Sequence, residues 1–143
     1  QSDEISVNPM NIQRGTVIDR LHRHNEYRPP WLWSLVDMIR RAHPLIHPEG
    51  GINGDDDQVA RLIVHPTAGG KIRGSHNCGQ CDAEVVAAIE RYAVSGSLLE
   101  FDGLSCACQT VWNAEITLER QLPVPLGLSK PRRGSAVHRL RSP

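Results

Sequence analysis

A chain of 143 residues, 39% hydrophobic but only 4% aromatic, suits one compact domain with tails, its core built from Leu, Ile, Val and Ala. Sixteen basic and sixteen acidic residues cancel to a net charge of zero, which excludes a domain that is basic throughout. No run approaches the ~18 apolar residues of a membrane span and no basic-apolar-small signal opens the chain, so a cytoplasmic protein with no membrane partner is expected.

The neutral total hides an asymmetry. No acidic residue follows Glu119, and Lys130, Arg132, Arg133, Arg139 and Arg141 give the tail +5, which leaves the body at −5. Residues 1–8 read as a flexible leader, with Met10 as an alternative start. Asn8-Pro9 is a cap and first-turn pair for a helix to about His24, with Ile12, Val17, Ile18 and Leu21 on one side and Gly15 as a weak point. Arg28-Pro29-Pro30 stops it. A second helix is expected over Trp31–Ala42, with Leu32, Leu35, Val36 and Ile39 as its apolar stripe and Trp31 and Trp33 as core residues.

His43-Pro44 to Gly54 reads as a loop, because H-P-x-x-H-P forms turns and lacks a ligand framework. Asp55-Asp56-Asp57 open a third helix over Gln58–Val64, where capping explains the carboxylates better than a divalent cation does. Thr67–Ser75 reads as flexible, and it lacks the spacing of a phosphate loop. A long helix follows over Asp82–Val94, with Val85, Val86, Ile89 and Ala93 on its apolar side and Ser95-Gly96 as its break.

The last helical stretch has the order of a helix-turn-helix: a short helix at Ser97–Phe101, a turn at Asp102–Ser105 and a helix over Cys108–Leu122. With Val111, Leu118 and Leu122 turned inward, Gln109, Thr110, Trp112, Asn113 and Arg120 face outward as candidate DNA contacts. The same pattern describes an ordinary packed helix pair. The fold class is therefore all-α: a bundle of four to five helices, with a flexible leader (1–8), a helical domain (9–122, its helix-turn-helix at about 97–122) and a flexible basic tail (123–143).

Cys78, Cys81, Cys106 and Cys108 fall in two close pairs within this region. Two thiolates two residues apart can share a tetrahedral ion, and Gly79 relieves the turn between them. The tighter Cys106-Ala-Cys108 pair needs the irregular backbone of a turn, and His76 is a substitute ligand. Four buried small hydrophobes are the alternative. The pairing favours Zn2+, and a redox C-x-x-C has no strand-helix context here. No nucleophile elbow, H-E-x-x-H or deaminase signature occurs, so the expectation is a protein that is not an enzyme.

Three stretches carry a family likeness: Asn11-Ile12-Gln13 ahead of a tryptophan-bearing helix, the Asp55–Asp57 run, and Arg91-Tyr92 through Asp102-Gly103 and Cys106 to Leu122. In layout, residues 10–122 resemble the smaller late-gene antitermination proteins (Q proteins) of lambdoid phages, the type with a helix-turn-helix similar to region 4 of bacterial sigma factors. That resemblance implies double-stranded late-promoter DNA, bacterial RNA polymerase and sigma factor as partners, read-through of terminators as the activity and the bacterial host cytoplasm as the location. The expectation from another class is a small zinc-stabilised phage adaptor or inhibitor that binds a host protein without reading DNA.

Overall fold

The computed structural model describes residues 4–47 and 61–121. Their order is a strand β1 (Glu4–Val7), helices α1 (Val17–Arg23) and α2 (Leu32–Ile46), a strand β2 (Arg61–Val64), helix α3 (Asp82–Ser95), a 3-10 turn (Leu98–Phe101) and helix α4 (Cys108–Gln121). The fold is mostly helical, but it is not all-α. β1 and β2 pair in parallel with Glu4 opposite Arg61 and Val7 opposite Val64. Glu4–Val7, expected to be a flexible leader, is thus a strand, and Arg61–Val64 is a strand where a helix was expected. The residues explain the reversal: in R-L-I-V, alternate Leu62 and Val64 are buried, and a short apolar run fits either period until a partner strand is supplied. The partner comes from 57 positions away in sequence, beyond any local pattern. Asp55–Asp57, Gln58 and the basic tail lie outside the described residues.

α2 and α3 form the body. The expected stripe Leu32, Leu35, Val36 and Ile39 is buried together with Trp33, against Val85, Ala88, Ile89 and Tyr92 of α3. β2 and Phe101 close this core, and Phe101 stacks on Tyr92 at 5.3 Å between ring centroids. α2 runs through Pro44 to Ile46, where a loop was expected. A proline in the last turn costs few backbone bonds, and the His47 N–H still reaches the His43 carbonyl at 2.8 Å. α3 follows its expected span and ends on Gly96, whose left-handed φ of 67° makes the C-cap.

α1 is shorter than expected. Gly15 adopts a turn (φ 80°), and Thr16 caps the helix by accepting from the Asp19 N–H at 3.1 Å. Asp19 is buried and accepts from the Gly15 N–H at 2.9 Å and from the Arg73 guanidinium at 2.7 Å. Arg73 also donates to the Ile12 carbonyl, and the Ile12 N–H returns a bond to the Arg73 carbonyl. These bonds clamp residues 12–19 to the Thr67–Ser75 loop, which is ordered by its own turns rather than flexible. Gly74 is required there, because a Cβ would collide with the Ala68 carbonyl.

In α4 the expected inner stripe is exposed, and two residues expected to face outward, Gln109 and Trp112, are half-buried instead. Val111 and Leu118 are more than half exposed, while Trp112 is half-buried and donates from Nε1 to Ser34 Oγ at 2.9 Å. Trp112 brings the largest apolar surface of the helix to the core and finds a partner for its indole N–H there, which the smaller Val111 and Leu118 do not offset. Ile89→Ala should therefore cost about 2–5 kcal/mol in urea denaturation. Leu118→Ala, expected from sequence to cost as much, should stay within about 0.5 kcal/mol.

The Asp19 clamp gives a pH signature. Its carboxyl is held below its ordinary value of 3.8 by the Gly15 N–H and then by Arg73, against burial, which pushes the other way. Folding favours the ionised form, so this stabilisation is complete above about pH 4 and fades as pH falls through the lowered value. Asp19→Asn should lower the melting temperature at pH 7, and the difference from the parent should shrink in acid.

Candidate metal centre

The four cysteines converge. Cys78 and Cys81 come from the loop that enters α3, and Cys106 and Cys108 from the loop that enters α4. Their four sulfurs lie within 4.8 Å of one another. Cys78 Sγ is 3.6 Å from Cys106 Sγ, and Cys81 Sγ is 3.7 Å from Cys108 Sγ. All four are free thiols. An ion bound tetrahedrally at about 2.3 Å from each sulfur has edges of about 3.8 Å between sulfurs. The donor set therefore fits one metal ion. His76, the expected substitute, is not a member of the cluster; its Nδ1 faces the Gly74 carbonyl at 2.9 Å.

Other side chains hold the thiols in place. Asp82, the first residue of α3, is buried and accepts from the Asn77 N–H at 2.8 Å and the Gly79 N–H at 2.7 Å, so one carboxylate shapes the whole Cys78–Cys81 turn. Gly79 meets the φ of 90° that this turn needs. Asp82 was expected to cap the helix; it reaches back past its end instead, and Cys81 is the N-cap residue. Asn77 donates from Nδ2 to Cys81 Sγ at 3.4 Å and accepts the Trp33 N–H on Oδ1. The Trp33 indole N–H points at Cys108 Sγ at 3.2 Å. N–H groups aimed at sulfur favour the thiolate that a metal requires.

The electrostatics divide the set. N–H bonds from Gln80 and Cys81 bring the exposed Cys78 thiol down to about 7. Burial pushes Cys81 up to about 12 and also raises Cys108. Two buried thiols resist ionising alone, and a cation placed between the four sulfurs reverses that preference. Arg28 stands beside the centre. Its guanidinium lies 3.6 Å from the centroid of the Trp31 ring and donates to the His76 and Asn77 carbonyls, while Trp31 Nε1 donates to Glu115 on α4. Sequence reasoning missed Asn77, Asp82, Trp33 and Arg28. The signal for the first two was their place immediately outside C-x-x-C, where exposed turn amides need acceptors.

The five side chains expected to read DNA do not form one free face. Gln109 is half-buried, and its Oε1 accepts the Cys106 N–H at 3.3 Å. Trp112 is committed to Ser34. Thr110 and Asn113 are exposed, and Arg120 lines a groove with Ser34, Asp37 and Glu119. The short helix of the expected helix-turn-helix is a four-residue 3-10 turn.

These features define a mostly helical unit built on a four-thiol centre. The chain is 31% identical over 118 residues, 82% of its length, to a protein of Methanosarcina acetivorans named archaeosine synthase subunit beta. It is 31% identical over 115 residues, 78% of its length, to a protein of the same name from Thermococcus kodakarensis. It is 29% identical over 126 residues, 86% of its length, to an uncharacterised protein of Methanocaldococcus jannaschii. In each case it spans 31% of the relative's length. No protein-family model matches the chain, and no solved structure matches it.

This similarity overturns the phage resemblance. The antitermination reading, the adaptor alternative, and the partners that came with them, late-promoter DNA, RNA polymerase and sigma factor, are withdrawn, as is the bacterial host. The letters that suggested a phage protein, a tyrosine, a glycine and a cysteine before a helix, are those that close α3, turn the chain and deliver a thiol to the metal centre. Among the described residues, no helix is long and apolar enough to cross a membrane.

Native mass spectrometry should find one metal ion per chain. Cys81→Ser should lose it and lower the melting temperature by ten degrees or more, on the order of the several kcal/mol that a structural ion contributes. His76→Ala should keep it.

Proposed function

We propose that this chain acts in the modification of tRNA, as a zinc-stapled unit in the formation of archaeosine. The observation that carries the reading is its 31% identity, over 82% of its own length, to a protein named archaeosine synthase subunit beta. The chain spans 31% of that protein's length.

Within that activity we assign the four-thiol unit a structural, non-catalytic role. Four thiolates saturate a tetrahedral zinc ion, whereas catalytic zinc keeps a position open for water or substrate. The ion pins the entry of α3 to the entry of α4, and through Trp33 and Asn77 it also fixes the start of α2. Zinc suits this donor set because it accepts four thiolates tetrahedrally and has no d-electron preference to oppose that geometry; elemental analysis of the purified protein separates it from iron, which four thiolates also bind.

Deleting the gene in the organism that encodes it should remove archaeosine from tRNA digests analysed by nucleoside mass spectrometry. The parent gene should restore it and the Cys81→Ser gene should not. Unchanged archaeosine in the deletion strain would refute the assignment.

A further inference from the structure

The described residues are electrically polar. From residue 10 to residue 30 there are four arginines (Arg14, Arg20, Arg23, Arg28) against Asp19 and Glu26, and from residue 66 to residue 77 there are Lys71 and Arg73 and no acid. From residue 78 to residue 121, by contrast, seven carboxylates face two arginines. The two basic stretches are distant in sequence, yet the Arg73 bonds to Asp19 and Ile12 lay them side by side.

Much of the negative charge of the basic side is spent internally. Asp19 is buried between the guanidinium groups of Arg73, at 2.7 Å, and Arg23, at 3.2 Å. Arg14, Arg20 and Lys71 are exposed, and none belongs to an ion pair among the described residues. Arg20 and Arg23 are three apart on α1 and so share a side of the helix. At the edge of this surface the Arg28 guanidinium lies 3.6 Å from the centroid of the Trp31 ring and is held by its bonds to the His76 and Asn77 carbonyls, beside the four-thiol cluster.

We propose that α1 and the Thr67–Asn77 loop form a docking face for the phosphate backbone of tRNA, with Arg14, Arg20 and Lys71 as its principal phosphate contacts. The assignment rests on the tRNA-modification reading for the identity of the polyanion. The charge distribution supplies the orientation: a backbone of closely spaced phosphates is attracted to this side and repelled by the acidic α3–α4 side, so the unit meets RNA one way round. Ordered backbone supports the contacts, because the Asp19–Arg73 clamp fixes α1 against the loop before binding and leaves less entropy to lose on docking.

The test is fluorescence anisotropy of the 143-residue chain with an unmodified tRNA transcript over a range of salt concentrations. Arg14→Glu, Arg20→Glu and Lys71→Glu combined should weaken binding by at least about tenfold near 0.1 M salt, and the slope of log affinity against log salt should become shallower by about two. Arg120→Glu, on the acidic side, should leave the affinity and slope close to the parent's. Metal content and melting temperature report whether each variant folds, and the glutamine triple variant replaces the glutamate one if reversal of charge unfolds it. A triple variant that binds like the parent, or a parent that does not bind tRNA, overturns the docking face. The deletion strain keeps the two ideas apart. If deletion abolishes archaeosine while the triple variant restores it fully, the face is wrong and the tRNA-modification reading stands. If deletion leaves archaeosine intact, the reading itself fails.

Discussion

Everything in this molecule depends on bringing four sulfurs together in a space the width of one coordination sphere. Thiolates at these separations repel one another, and burial alone raises the pKa of two of them. The arrangement is therefore costly unless a cation sits among them, and with one it becomes the strongest tie in the fold. The tie joins the points from which two helices depart. α3 begins one residue after Cys81, and α4 begins at Cys108 itself. A single ion bound there would set where both helices start and which way they leave.

The need for such a tie follows from how little of α4 is buried. Among its residues only Cys108 is buried, and its polar contacts with α2 and the residue that caps it are three indole N–H groups, Trp112 to Ser34, Trp33 to Cys108 and Trp31 to Glu115. Individual hydrogen bonds of this kind contribute about 0.5–1.5 kcal/mol each, too little to hold a helix of this length by themselves. α2 and α3, in contrast, share a continuous apolar core with Phe101 and β2. The molecule has one half held by packing, and α4 is tied to it through the four-thiol cluster. Asn77, Asp82 and Trp33 join the halves, since each touches both a core element and the thiol centre or its turn.

A second tie works through charge, in the loop ahead of the cysteines. Asp19 and Arg73 lock the N-terminal segment onto the loop ahead of the cysteines, and they do so by burying one carboxylate under a guanidinium. The consequence is a pair of neighbouring segments, 10–30 and 66–77, with more positive than negative charge, in a chain whose residues 78–121 carry seven carboxylates against two arginines. The net charge of zero for the chain conceals this polarity, and an average over a sequence carries no information about which residues end up as neighbours.

The sequence by itself determined the local features. The stripe of α2, the span of α3 and the grouping of the cysteines into two close pairs were legible, because each rests on spacing within a few residues, whereas the short helix expected at Ser97–Phe101 is a 3-10 turn. Tertiary structure alone decided the rest. β1 and β2 were invisible because a two-stranded sheet takes its identity from a partner 57 residues away, and neither segment has enough periodicity to declare itself. The face that α4 buries was settled by where Ser34 stood to receive the Trp112 N–H, not by the hydrophobicity of Val111 and Leu118. The phage likeness failed for a related reason. An order of residue types along a chain describes which turns and helices follow one another, and many unrelated folds share such an order. The cysteine pairs had pointed to a shared ion from their spacing, and the structure added that all four sulfurs converge within 4.8 Å.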